Sequence, residues 1–153
     1  MDLILWRHAE AVDLGDGQSD LERELTPHGR KQAARIADWL DARLPGRVRV
    51  LSSPARRAVQ TAKAFGRKFQ VCPELGPDGT ESELLVLAGW PDARRSVLIV
   101  GHQPTLGQAL AKVLGIDAGE CPMRKGSVWW LHGRVRAGTL QTIVIAVQGP
   151  EML

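Results

Sequence analysis

The chain has 153 residues, 44% of them hydrophobic, which suits one core in a single domain spanning 1–153. Its formal charge of +3, from 20 Lys and Arg against 17 Asp and Glu, is too mild to argue for a nucleic-acid partner. No apolar run reaches the ~20 residues that cross a bilayer, no charged-then-apolar leader opens the chain, and Cys72 and Cys121 fit neither a disulfide framework nor a zinc site; the expectation is a cytoplasmic protein with no membrane partner, no metal and no cofactor.

The first strand is expected at 3–6 (LILW), with Arg7 and His8 where the apolar run gives way to a polar loop. The stretch GDGQSD, 15–20, is turn-rich and reads as a mobile loop. Thr26 and Pro27 then supply an N-cap and a first-turn proline, and Ala33, Ile36, Ala37, Leu40 and Leu44 form a helical stripe that stops before Pro45-Gly46. A second strand is predicted at 48–53 (VRVLSS) and a helix at 54–66, with Ala58, Ala62 and Phe65 on one face.

The segment 73–95 reads as a connection with an acidic loop. A strand at 96–101 (SVLIVG) and a helix at 105–114 with Leu106, Ala109, Leu110 and Val113 inward come next, then strands at 127–131 (SVWWL) and 142–147 (TIVIAV). Nearly continuous apolar strands suit a sheet covered on both faces, so the class is α/β with helices on both sides of a mainly parallel sheet. Trp129 and Trp130 fall on opposite strand faces, as core packing requires.

In such sheets ligands sit beyond the carboxyl ends of the strands. Arg7-His8 follows the first strand, SSPARRAVQT (52–61) follows the second and opens a helix, and VGHQPT (100–105) places His102 at the end of a third. Two histidines and at least two arginines therefore meet on one rim, where helix N-terminal N–H groups also favour an anion. That recurrence points to phosphate. His28 and His132 have no such partners.

Five segments in this order resemble the histidine phosphatase superfamily, and its small SixA-type phosphohistidine phosphatases most closely: LWRHAEA, RELTPHG (23–29), VLSSPARRAVQTA (50–62), CPELGPDG (72–79) and VLIVGHQP (97–104). The resemblance implies a three-layer α/β/α sandwich with a mixed central sheet and no large lid insertion. It makes His8 the nucleophile, Arg7, Arg57 and His102 the phosphate clamps, and Arg23 an auxiliary cation. The S-P-x-x-R-A-x-Q-T pattern selects Arg57 over Arg56, which is left to solvent. Many members of the superfamily have Gly after the Arg-His pair; Ala9 stands there instead, and a φ above zero at that position would strain it.

A neutral imidazole attacks through one nitrogen when the other donates its hydrogen to a backbone carbonyl, so His8 is expected to become phosphorylated. Guanidinium forks at Arg7 and Arg57 stabilise the transferring phosphoryl without a metal, and His102, cationic in the occupied site, adds a hydrogen bond and charge. Phosphohistidine demands less of an acid than an ester does, because an imidazole can leave as a neutral ring. The expected activity is hydrolysis of a phosphohistidine-bearing phosphotransfer protein to inorganic phosphate. The alternative is a general phosphomonoesterase for a small phosphorylated metabolite, served by an acid among Glu74, Asp78 and Glu81. Glu10 is a further candidate for orienting an arginine. A binding module that never phosphorylates His8 would be a third class.

Overall fold

The computed structural model describes residues 1–153. Six strands and four helices follow one another as β1 (Asp2–Arg7), α1 (Pro27–Asp41), β2 (Arg49–Ser52), α2 (Arg56–Ala64), β3 (Gln70–Val71), α3 (Glu81–Ala88), β4 (Val97–Gly101), α4 (Thr105–Leu114), β5 (Val128–Arg136) and β6 (Thr139–Gln148), with three short 3-10 turns. They form one sheet in the order β3-β2-β4-β1-β5-β6. The first four of these strands are mutually parallel, while β5 runs antiparallel to β1 and β6 to β5. This is the mixed, mainly parallel sheet that the apolar pattern and the resemblance implied, with helices on both faces. No helix is long and apolar enough to cross a membrane.

The period-2 alternation of the central strand divides the core in two. Ile4 and Trp6 face Ile36 and Leu40 of α1 and Ala58 and Ala62 of α2, whereas Leu3 and Leu5 face Leu84 of α3 and Leu106 and Leu110 of α4. All four β1 residues are fully buried, which is why this strand reads as an unbroken apolar run. Trp129 packs against the second cluster and Trp130 against the first, edge-on to Trp39. Cys72 is buried and Cys121 is half-buried.

Two expectations need correction, and one strand is added. The connection 73–95 contains a helix: Thr80 and Glu83 form a reciprocal capping box at the start of α3, and Gly89 closes it in the left-handed conformation. The two-residue β3 is too short to leave an apolar pattern. The run 142–147 lies on the outermost strand and is half exposed, so it is not covered on both faces.

The Thr26 hydroxyl accepts from the Gly29 N–H, as an N-cap should. Gly29 itself presses on the loop that follows β1: a Cβ there would lie 2.0 Å from the carbonyl oxygen of Glu10. This close approach holds α1 against the segment that carries Ala9 and Glu10. Gly29→Ala should therefore lower stability by about 1–3 kcal/mol, the clash outweighing the roughly 1 kcal/mol that helix propensity gives in the opposite direction, and chemical denaturation will read the difference.

Candidate active site

Arg7 and His8 end β1, Ser53 follows β2, and His102 follows β4, so three adjacent parallel strands deliver their polar residues to one rim. The register places Arg7 beside Gly101, and the His8 N–H donates to the Gly101 carbonyl at 3.1 Å. The His8 and His102 rings lie 5.1 Å apart, tilted. Arg57, in the first turn of α2, reaches between them. Side chains of all three are buried. The helix begins at Ala55 with no side-chain cap, which leaves first-turn N–H groups for an anion.

A guanidinium can only donate, and this fixes the tautomers. Arg57 Nε donates to His8 Nε2 at 3.3 Å, so Nε2 carries a lone pair and the ring hydrogen sits on Nδ1, which donates to the Ala9 carbonyl at 2.7 Å. Arg57 Nη2 approaches His102 Nδ1 at 3.4 Å, which leaves the His102 hydrogen on Nε2, donated to Ser53 Oγ at 2.7 Å. Ser53 Oγ also accepts from the Ala55 N–H.

Burial pushes the His8 pKa down to about 3, against a partial counter-effect from the Ala9 carbonyl and with further lowering from His102, Arg57 and Arg7. Burial and then Arg57 do the same to His102, also to about 3. Both rings are neutral in the free site at pH 7, so a cationic His102 requires an anion to arrive first.

Arg7 Nη1 donates to the Met123 carbonyl at 2.6 Å, while its buried Nε has no partner in the protein. An unpaired buried donor is costly, and a phosphoryl oxygen would satisfy it. Burial lowers the pKa of both Arg7 and Arg57 from the usual arginine value.

The structure adds a residue that no motif singled out. Asp20 accepts from Arg57 through its main-chain carbonyl (Nη1, 2.8 Å) and its carboxylate (Nη2, 3.0 Å), and its other oxygen takes Arg23 Nε at 2.9 Å. Desolvation pushes the Asp20 pKa up, but hydrogen bonds and charge from Arg57 and then Arg23 outweigh it and hold the carboxyl below its ordinary range. The loop read as freely mobile is thus tied to the site at its end, where Ser19 and Glu22 form a capping box. Arg23 acts here on Asp20 and on the Val12 carbonyl.

Other assignments sort by position. Arg56 pairs with Glu24 on the surface and stays out of the site. Ala9 is buried with a φ below zero, so the departure from Gly carries no strain; its N–H donates to Thr61 Oγ1. Glu10 accepts from the Thr26 hydroxyl and orients no arginine. Glu74 and Asp78 line a groove of about 340 Å³ bounded by Leu21 and Pro54, next to the rim. Glu81 opens α3 and lines a different groove with Gln108 and Lys112. His132 pairs with Asp2 away from the rim.

A family model described as the histidine phosphatase superfamily (branch 1) matches residues 3–93. The chain is 32% identical over 123 residues to the phosphohistidine phosphatase SixA of Escherichia coli (strain K12), covering 74% of each. Among solved structures, the protein histidine phosphatase SixA complexed with tungstate gives a TM-score of 0.78 at 25% identity over 99% of both chains. A phosphoserine phosphatase from Entamoeba histolytica in complex with phosphoserine shares the fold, with a TM-score of 0.73 at 16% identity over 99% of this chain and 98% of that one.

Two outcomes follow from the electrostatics. The unfolded chain binds protons on both histidines below pH ~6.5, whereas the native rings resist until about 3. Stability should fall as pH drops through this window, by up to about 2 kcal/mol per histidine at pH 5, and His102→Asn should remove about half of that slope in denaturation measured at pH 7 and pH 5. Separately, Asp20→Asn should raise the susceptibility of Arg57 to reorientation and lower kcat/KM by roughly 10-fold, with little change in denaturation midpoint because Asp20 is half exposed.

Proposed function

This chain belongs to the histidine phosphatase superfamily, and from that premise we propose that it hydrolyses a phosphohistidine-bearing phosphotransfer protein through a covalent intermediate on His8, with no metal ion. The observation that carries the reading is the His8 ring itself: buried, neutral, its hydrogen held on Nδ1 by the Ala9 carbonyl and its Nε2 lone pair facing Arg57.

His8 Nε2 attacks phosphorus while the bond from phosphorus to the substrate imidazole breaks. The departing nitrogen keeps the electron pair, and because the distal nitrogen already holds a proton, the ring leaves neutral. His8 keeps its Nδ1 hydrogen and becomes a cationic phosphoimidazole. Water then attacks phosphorus, the pair of the broken bond returns to Nε2, and phosphate departs as a monoanion with both water hydrogens. Neither half-reaction calls for a separate general acid. Arg57 and the unpaired Nε of Arg7 stabilise the equatorial oxygens, and the incoming dianion raises the proton affinity of His102 so that it can donate to the phosphoryl group.

SixA relatives, whose names give phosphohistidine as the group they act on, support this substrate class. The short 73–95 connection, with α3 as its only helix and no lid over the rim, suits a histidine presented on a protein surface. One observation favours the second reading, a phosphomonoesterase for a small metabolite: the groove beside the rim carries Glu74 and Asp78, either of which could protonate an alkoxide.

Phosphate release from a phosphohistidine protein and from sugar phosphates and nucleotides, measured with a chelator present, tests the reading. Full activity with chelator and at least ~100-fold preference for phosphohistidine is expected, with an acid-labile, base-stable phosphoryl group trapped on the wild type. His8→Ala should lose at least ~1,000-fold, and Arg57→Lys roughly 100-fold, because a point charge cannot replace the fork. Retained turnover in His8→Ala would refute the covalent route. A preference for esters that is lost in Glu74→Gln or Asp78→Asn would transfer the function to metabolite hydrolysis.

A further inference from the structure

The outermost strand, β6, pairs with β5 on one side only, so its other edge offers unpaired N–H and C=O groups. Proteins commonly protect such an edge with lysine, proline or an inward charge. Here residues 139–148 read TLQTIVIAVQ, and no charged residue occurs anywhere from 137 to 150. The one interruption is a bulge between Leu131 and Trp130, where Ile145 has no partner on β5, which leaves 139–144 as the regular part of the edge.

The face of this hairpin turned towards α3 and α4 is covered only in part. Gly133 lies under the Trp90 ring, which occupies the space a Cβ would take. Beyond that ring, Val135, Leu140, Val144 and Val147 are 67%, 43%, 43% and 50% exposed. Pairing places Val135 beside Leu140 and Leu131 beside Val144, so these residues continue the apolar face that is buried under Trp90.

We propose that β6 is a self-association edge, and that two copies of this chain pair antiparallel through it to make a continuous twelve-stranded sheet. Two features select a second copy as the occupant. A residue on a two-fold axis meets its own copy, so a strand whose middle is uncharged can pair with itself without repulsion. Moreover, the charges that flank it are opposite: Arg136 lies at the turn end, and Glu151, whose carboxylate accepts from Gln32 of α1, lies just past the far end. An antiparallel dimer brings the turn of one copy towards the far end of the other, where these charges attract.

A two-fold axis normal to the sheet keeps each face on its own side, so residues that oppose one another must share a face. Centring the axis on Thr142 satisfies this for 140–144 and sets Leu140 against Val144 twice. The catalytic rim lies at the carboxyl ends of β1, β2 and β4 and takes no part.

Sedimentation equilibrium of the full chain should give twice the 16.7 kDa chain mass at roughly 100 μM. Val144→Lys should weaken association by about 100-fold, since each substitution counts at two symmetry-related places, while leaving circular dichroism and phosphatase activity at wild-type levels. Thr142→Cys should form an intermolecular disulfide under mild oxidation that wild type, which retains Cys72 and Cys121, does not form. Should Val144→Lys misfold, the Thr142→Cys cross-link decides the matter alone. A wild type that stays monomeric at this concentration would overturn self-pairing. A dimer untouched by Val144→Lys and not captured by Thr142→Cys would overturn the placement on β6.

Discussion

The hydrogen on His8 Nδ1, donated to the carbonyl of Ala9, is the interaction on which the site depends. If that hydrogen moved to Nε2, the ring would present a donor to the Arg57 guanidinium, and two donors would face each other in a buried crevice. The backbone that offers the carbonyl is held in turn. The Ala9 N–H is bound by Thr61 Oγ1, and the same hydroxyl donates to the Arg57 carbonyl one turn earlier in α2. One helix therefore supplies both the arginine that meets His8 and the brace for the backbone beside it. Gln60, between them, accepts from the Leu25 N–H and donates to Glu24, fixing the segment that leads into α1. The motif residues Arg57, Gln60 and Thr61 thus form one mechanical unit.

The charge pattern is asymmetric, and the asymmetry has a chemical sense. Arginines remain cationic when buried because their pKa starts so high, whereas histidines at the same depth give up their protons. The free site is consequently a pair of lone-pair nitrogens beside fixed positive forks, an arrangement suited to an anion. Asp20 supplies the only carboxylate hydrogen-bonded to Arg57, and it does so from the outer side, leaving Nε of that guanidinium directed at His8.

Much of this was legible in the sequence because parallel strands end in the same place. Arg7, His8, Arg57 and His102 each follow an apolar run, and the topology turns that shared position into proximity. What escaped had physical causes. Asp20 sits in a turn-rich stretch, where an acidic residue has no period to mark it, and its partner is 37 residues away. Ser53 belongs to a quoted motif, but its role is visible only once His102 lies across from it. Thr80 and Glu83 carry a readable capping signature for α3, but the acidic residues around it have the composition of a loop equally well. The exposure of β6 was illegible: an apolar strand on an edge has the same composition as one in the middle.

The interior position of β1 bears on how the chain is made. Of the six strands this one is synthesised first, yet its neighbours in the sheet are β4, at Val97–Gly101, and β5, at Val128–Arg136. At synthesis rates of roughly 5–20 residues per second, LILW waits about 5–20 seconds for its first hydrogen-bonded neighbour. During that interval a fully apolar strand of the core, with His8 at its end, must be sheltered by α1, α2 and α3 or by a chaperone, so the timing of translation through residues 8–96 becomes part of what keeps the protein from aggregating.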